Sequence, residues 1–115
     1  MTAAGPEVSF VAYSRWSLRR NGDLGRVLEV FKDVVRPAYA EVPGCLELTL
    51  LDLVDSQDYL VIAGWDTRDD YDAWVRQGEV WRAKNAEAFK QWQAVMEYEE
   101  EFQASIVSTG AFTSD

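Results

Sequence analysis

Apolar and polar residues alternate along four stretches of the chain, and this period of two predicts four β-strands. The first stretch is "VSFVAYSRWSL" at 8–18. The next two, at 45–54 and 59–65, are separated by the short polar break "DSQD", which predicts an antiparallel hairpin. The last, "VMEYEEEFQASIVST" at 95–109, has apolar residues at most even positions and polar residues at odd positions. We therefore expect a half-buried strand whose even-numbered side chains share the apolar face.

Between the strands, apolar residues recur at helical spacing. The first helix is expected to begin after the N-cap Asp23, which follows the turn signal "NG" at 21–22, and to reach about Val42. Pro37 lies inside this pattern and should kink or divide the helix near Arg36, because proline offers no N–H to the helical ladder. The "PG" pair at 43–44 should end it, since glycine suits the left-handed position after a helix.

A second helical region follows the hairpin. Thr67 with Asp70 three residues later resembles a capping box, and the apolar positions after it predict a helix. Gly78 is expected to break this helix, with a further helix starting near Glu79. The tail after Thr109 is expected to fray.

The resulting order, β-α-β-β-α-(α)-β, predicts an α+β fold of the ferredoxin-like split-βαβ type. Such a fold is a four-stranded antiparallel sheet with helices on one face. The 115 residues suit a single domain over 1–115, with a core at about 8–107.

Several predicted strands are apolar on both faces, which indicates a homodimer. In the first strand Val11 and Tyr13 lie opposite Phe10 and Trp16. Helices can cover only one face of the sheet, so the other would expose a large apolar patch, which monomers rarely tolerate. We expect two sheets to pack face to face about a twofold axis.

Composition removes several classes of function. The net charge of −9 argues against a nucleic-acid partner and against docking on an anionic membrane. No apolar run approaches the length of a membrane helix, and the N-terminal residues lack the regions of a signal peptide. The single cysteine, Cys45, cannot form an internal disulfide, so we expect a cytoplasmic protein. There is no histidine, which removes the commonest general base and metal ligand, and we expect neither a metal nor another cofactor.

Three segments carry a family resemblance: "EVPGCLELTLL", "YLVIAGWDT" and "RDDYDAW". With them the chain resembles, from about 8 to 107, the antibiotic biosynthesis monooxygenase (ABM-type) family of dimeric α+β barrel proteins. The resemblance implies a cavity between sheet and helices in each subunit. It also implies cofactor-independent oxygenation of polycyclic aromatic polyketides, in which the deprotonated substrate itself activates dioxygen. The haem-degrading branch of the family requires an axial histidine, which this chain lacks.

The resemblance also implies site residues. Trp65 matches the family's cavity tryptophan and Tyr71 a tyrosine found at the cavity of some polyketide oxygenases, so both are candidate catalytic residues. Those oxygenases carry asparagines where this chain has Val61 and, on the first strand, Ala12 or Ser14. The candidate substrate-binding residues are Ser14, Phe10, Trp16, Val61, Trp74 and Trp81.

Three charged residues in the predicted strands each have two alternative roles, and their positions favour one or the other. Arg15 either stabilises an enolate or forms an ion pair on the dimer side of the sheet, and its parity favours the ion pair. Glu100 interrupts the even-numbered face of the last strand and is either a base of raised pKa or solvated. Asp52 shares the parity of the leucines before it, but its closeness to the turn favours exposure.

The leading hypothesis is a cofactor-independent monooxygenase-like enzyme that oxidises a polycyclic aromatic polyketide or quinone-type metabolite. Its partners would be that substrate and dioxygen. A cyclase or isomerase on the same scaffold is the first alternative. A non-catalytic ligand-binding or partner subunit is the second.

Overall fold

A computed structural model of the chain describes residues 7–20 and 22–108, so the predicted turn at Asn21 and the tail after Thr109 lie outside the described residues. The elements, in order, are β1 (Phe10–Leu18), α1 (Leu24–Val30), a π-helical turn (Phe31–Val35), α2 (Arg36–Ala40), β2 (Cys45–Asp52), β3 (Asp58–Trp65), α3 (Arg68–Arg76), α4 (Gly78–Lys84), α5 (Ala86–Val95) and β4 (Met96–Ser105). The strands form one antiparallel sheet in the order β2-β3-β1-β4. The predicted ferredoxin-like α+β fold is confirmed.

The first helical run begins as predicted and changes character before Pro37. The Asp23 side chain accepts a hydrogen bond from the Gly25 N–H at 3.1 Å and so caps α1. The run then widens into the π-helical turn, closed by the Arg36 N–H donating to the Phe31 carbonyl, and α2 starts at Arg36. A wider turn at this place suits a proline, whose ring would crowd the carbonyl four residues earlier in a regular α-helix.

Two local interactions determine where the hairpin and the helix after it begin. Gly44 has φ of 83°, in the left-handed region that glycine tolerates, and its carbonyl accepts the Asp66 N–H at 2.8 Å. Thr67 caps α3, since its hydroxyl oxygen accepts the Asp70 N–H at 3.0 Å. The end of β3 is therefore tied to the start of both β2 and α3.

The second helical region divides more often than predicted. α3 ends at Arg76 and α4 begins at Gly78, as the glycine suggested. A further division falls at Asn85, whose side chain and backbone N–H both donate to the Trp81 carbonyl, at 2.9 and 3.0 Å, so that α4 is capped there. The three short helices α3, α4 and α5 can thus wrap around one side of the sheet.

The sheet has two unlike faces. The inner face, covered by the helices, contributes Phe10, Trp16 and Trp65 to a core that also contains Val27 and Val30 of α1. The outer face carries, among others, Val11, Tyr13, Leu51, Leu60, Ile62 and Phe102. On that outer face Leu51 and Phe102 are each 41% exposed, so the described residues leave it uncovered.

A β-bulge in β4 overturns the predicted alternation of that strand. Arg15 pairs with Glu100 but Trp16 pairs with Tyr98, which leaves Glu99 as the extra residue. Before the bulge the even-numbered Tyr98 lies on the inner face; beyond it the odd-numbered Glu101 does. The prediction of a single apolar even-numbered face is therefore wrong, because one inserted residue exchanges the two faces of a strand.

Candidate functional site

A cavity of about 1290 Å³ lies between the inner face of the sheet and the helices. Its floor is formed by β1, β3 and β4, and its sides by α2, α3, α4 and α5. The volume is large enough for a flat molecule of several fused rings. Of the residues named from the sequence, the following line it: Ser14, Trp16, Val61, Tyr71, Trp74 and Trp81.

The inner end of the cavity is a small apolar recess of about 40 Å³. It shares Ser14, Trp16 and Val61 with the main cavity and is closed by small side chains such as Ala38 and Ala88. The Ser14 hydroxyl accepts a hydrogen bond from the Trp16 indole N–H at 2.8 Å. That bond fixes the indole in place at the floor of the recess.

One wall of the cavity is a chain of aromatic rings. Trp74 contacts Trp81 with ring centroids 5.3 Å apart, and Tyr39 contacts Trp81 at 4.9 Å. Edge-to-face and tilted contacts of this kind stabilise aromatic clusters beyond simple burial. The result is an apolar wall of π-faces on which a flat aromatic ligand can stack.

Trp65 and Phe10 stand behind this wall. Trp65 is fully buried and lies 5.4 Å from Trp74 and 5.5 Å from Tyr71 by ring centroids, and Phe10 lies 5.2 Å from Tyr71. Neither is among the described residues that line the cavity. The structure therefore places both as supports that hold Trp74 and Tyr71 in position.

Two indole groups, one in the wall and one behind it, have no hydrogen-bond partner among the described residues. The Nε1–H groups of Trp65 and Trp74 are both buried and donate to no described group. A buried donor left unpaired costs about 1–3 kcal/mol. Trp74 lines the cavity with other atoms of its side chain, because its N–H is buried.

Glu101 brings a carboxylate into the cavity. The bulge at Glu99 sets it opposite Ser14 on the inner face. The Tyr71 hydroxyl donates to Glu101 Oε1 at 3.1 Å, and the Gln103 amide donates to the same oxygen at 3.5 Å. Sequence reasoning missed Glu101 and Gln103, although the run "EYEEE" interrupts the alternation at the place where the strand bulges.

The cavity environment keeps its tyrosines protonated. Burial, followed by the charge of Glu101, raises the pKa of Tyr71 to about 12. Burial first, then Cys45 and Glu101, raises the pKa of Tyr39 further still, and Tyr98 has a raised pKa for the same two kinds of cause. Tyr39 and Tyr71 are therefore hydrogen-bond donors at neutral pH.

Positive charge lies on the helical side of the same cavity. Arg82 and Lys90 both line it, and neither forms an ion pair with a described residue. The sheet side carries Glu101. The cavity thus offers an acceptor on one side and two cations on the other, within an apolar surround.

The other charged candidates lie outside the cavity. Arg15 forms an ion pair with Asp58, with Nη2 2.6 Å from Oδ2, and lies 3.9 Å from Glu100 on the outer face. Asp52 is exposed at the end of β2. The carboxylate that faces the cavity is thus Glu101 and not its neighbour Glu100.

Residues 7–20 and 22–108 contain no group of three or more histidine, cysteine, aspartate or glutamate side chains arranged to hold a metal ion. None of the helices in this part of the chain has the length and apolar character needed to cross a membrane.

Comparison with known proteins identifies the family. The family model for antibiotic biosynthesis monooxygenases matches residues 19–95, more than half of the chain. The chain belongs to that family. A comparison with curated protein sequences finds no significant match.

Solved structures agree on the fold. SnoaB, a cofactor-independent oxygenase from Streptomyces nogalater, superimposes with a TM-score of 0.66 at 19% identity, over 90% of this chain and 97% of SnoaB. ActVA-Orf6, a monooxygenase from Streptomyces coelicolor in complex with the ligand nanaomycin D, gives 0.61 at 21% identity over 96% of both chains. A dimeric ferredoxin-like protein from an uncultured marine organism gives 0.66 at 11% identity, over 94% of this chain and 96% of that one.

Proposed function

We propose that the protein is a cofactor-independent monooxygenase that oxidises a flat, polycyclic aromatic polyketide or quinone-type metabolite with dioxygen. The observation that carries the proposal is the cavity itself. Aromatic rings in edge-to-face contact form one wall, and a tyrosine–carboxylate pair, Tyr71 with Glu101, stands beside them. Membership of the family and the resemblance to the two oxygenases support the same chemistry.

The reaction that fits this cavity converts a ring methylene into a carbonyl group. The substrate loses four electrons, dioxygen gains them, one oxygen atom enters the product and the other leaves as water. The substrate supplies the electrons once its acidic hydroxyl has lost a proton, so an electron-rich ring held away from water is what the protein must provide.

The residues that line the cavity have different roles in this reaction. Trp74 and Trp81 offer stacking surface, and the hydroxyl of Tyr71 donates a hydrogen bond to the ring oxygen on which negative charge develops. Trp65 and Phe10 hold Tyr71 in place from behind. Ser14, Trp16 and Val61 form the floor on which the inner edge of the substrate rests.

Arg82 and Lys90 support an electron-rich, ionised substrate. Neither cation is paired with a described carboxylate, so an ionised ring oxygen or an acidic substituent can approach them without displacing a protein anion. A cavity that favours the ionised ring lowers the barrier to electron loss.

A second function is favoured by one observation. The resemblance implies amides at the position of Val61 and at that of Ala12 or Ser14, and this chain has none there, whereas the Tyr71–Glu101 pair can move protons with no oxidant. That combination suits a cyclase or isomerase acting on the same class of aromatic polyketide. A non-catalytic ligand-binding subunit is the remaining alternative.

We propose that the working unit is a homodimer joined through the outer faces of the two sheets. The support is the uncovered apolar face and the dimeric ferredoxin-like relative. We also propose a cytoplasmic location, on the ground that the one cysteine cannot form an internal disulfide.

The decisive experiment follows quinone formation from a dihydroxyanthrone in air-saturated buffer by absorbance, with heat-denatured protein as the control. We expect the folded protein to accelerate oxidation well above the buffer rate. Conversion of a polyketide substrate without dioxygen would replace the proposal with the cyclase or isomerase. Tight binding of ligands that are recovered unchanged would identify a binding subunit.

A further inference from the structure

Glu101 is the only carboxylate among the described residues that line the cavity, in a chain with 20 acidic residues. The bulge at Glu99 places it there; with regular pairing it would face the opposite side of the sheet. Bulges of this kind recur next to active sites, where they redirect a side chain. The orientation of Glu101 is thus a consequence of a specific irregularity, within a strand whose residues from Glu97 to Ser105 are exposed.

We propose that Glu101 is the general base of this site and accepts the proton of the substrate's acidic hydroxyl as an electron leaves for dioxygen. The inference deepens the proposed oxygenase function and rests on it. It also names a proton acceptor in a cavity whose lining on β1 and β3 includes the apolar Ala12 and Val61.

The hydrogen bonds of Glu101 leave one oxygen free for a substrate. Tyr71 and Gln103 both donate to Oε1, and no described residue donates to Oε2. A substrate hydroxyl that donates to Oε2 lies close to the Tyr71 hydroxyl, which can turn and donate to the same substrate oxygen as it becomes negative. One tyrosine–carboxylate pair thus both removes the proton and stabilises the product of its removal.

The protonation states of the neighbours suit this exchange. Because the pKa of Tyr71 is raised to about 12, Tyr71 stays a donor throughout the neutral range and does not compete with Glu101 as a base. On the helical side of the cavity Arg82 and Lys90 attract the negative charge left on the substrate. Together they favour the ionised ring without a metal ligand or a histidine.

The step balances as follows. The substrate O–H bond breaks, its proton forms a bond to Glu101 Oε2 and one electron reduces dioxygen to superoxide, which leaves a substrate radical. The radical and superoxide join at a ring carbon, and Glu101 returns its proton to the new peroxide. The O–O bond then breaks as the ring carbon loses its hydrogen, so that water leaves and a carbonyl remains, with Glu101 a carboxylate again.

The test compares Glu101→Gln with Glu100→Gln across pH 5–10, using a dihydroxyanthrone in air. Glutamine keeps an acceptor for Tyr71 but cannot take a proton, so we expect kcat at pH 6–7 to fall by about 10²–10⁴-fold. The affinity for the quinone product, measured by quenching of tryptophan fluorescence, should change little. Glu100 lies on the outer face beside Arg15 and should leave kcat unchanged when substituted.

The pH profile separates a base from a merely structural residue. A substrate already ionised in solution needs no base, so the defect of Glu101→Gln should shrink about tenfold per pH unit until the substrate's own hydroxyl is ionised. A defect of equal size at every pH, or activity within about threefold of the wild type at pH 6–7, would overturn the proposal. If Glu101→Gln does not fold, Glu101→Ala with added formate serves instead, and rescue by formate is the expected result.

An assay without dioxygen distinguishes the failure of this inference from the failure of the proposed function. Under nitrogen, deuterium uptake at the ring methylene passes through the enolate, the same anion that loss of the acidic enol hydroxyl proton gives, and needs no oxidant. If the wild type oxidises nothing yet exchanges deuterium faster than Glu101→Gln, the base assignment stands and the oxygenase function fails. If the wild type oxidises the substrate and the two proteins exchange equally fast, the base assignment fails alone.

Discussion

The uncovered outer face of the sheet leads to a prediction about assembly. Phe102 lies on this face, stacked on Tyr13 with ring centroids 4.9 Å apart, and 41% of it remains exposed. Full burial of such a side chain stabilises by about 1.5–3 kcal/mol, so covering the remaining surface contributes about 1 kcal/mol per copy. In a twofold dimer the contribution is counted twice, at about 2 kcal/mol.

Phe102→Asp should therefore weaken the dimer strongly. Loss of about 2 kcal/mol raises the dissociation constant about 30-fold, and the cost of removing two carboxylates from water increases this further, to beyond about 100-fold. The folded subunit should survive, since the stack on Tyr13 contributes only about 0.5–1.5 kcal/mol. Sedimentation equilibrium at micromolar protein measures the association, and circular dichroism checks the fold.

Leu28→Asp is the matched control, because Leu28 is 52% exposed on α1, away from the outer face. This variant should dimerise as the wild type does. A wild-type protein that is monomeric at micromolar concentration would refute the reasoning. So would a dissociation constant for Phe102→Asp within about threefold of the wild-type value.

Two further predictions concern pH and the backbone. The pKa of Tyr71 rises from 10.0 to about 12 on folding, so the unfolded chain loses this proton first, and the free energy of unfolding should fall as pH rises from 10 to 12. Glu101→Gln should lower the pKa of Tyr71 in an ultraviolet titration of the phenols, because it removes the charge of Glu101. An unchanged midpoint would contradict the role of the carboxylate. Gly44→Ala should lower the free energy of unfolding by about 1–3 kcal/mol in urea, because φ is 83° and the new methyl would collide with Asp70. Gly25→Ala, whose methyl meets only ordinary contacts in α1, should instead be neutral or stabilising, and equal losses in the two variants would contradict the conformational argument.

The order of the elements could be predicted because local signals agree with the fold. Asp23, Gly44 and Thr67 each perform the capping or turn role that their residue type favours. The division at Asn85 could not be seen, since it accompanies a side chain that shares the Trp81 carbonyl with the backbone N–H of the same residue. Local chemistry thus fixes where elements begin more reliably than where a helix is interrupted.

Less of the candidate site than of the fold could be predicted from the sequence. A chain of aromatic residues can be read from the sequence, but which rings line a cavity and which stand behind it depends on three-dimensional packing, as Trp65 and Trp74 show. The placement of Glu101 could not be derived from alternation, because a bulge changes the parity of every residue after it. The interrupted alternation at "EYEEE" was the available signal, and it indicated an irregularity without locating it.

The bulge at Glu99 also affects how this protein should be aligned with its relatives. A relative with one residue fewer at this place would pair without a bulge and keep its equivalents of Glu101 and Phe102 on the same faces as here. A relative of equal length without the bulge would instead carry this carboxylate on the outer face and the aromatic side chain in the cavity. If an alignment places the gap beyond Glu101 and not at Glu99, it pairs Glu101 with a residue of the opposite face of the sheet. Whether β4 bulges at this place for a given strand length, more than single substitutions, should therefore divide family members by the chemistry of their cavities.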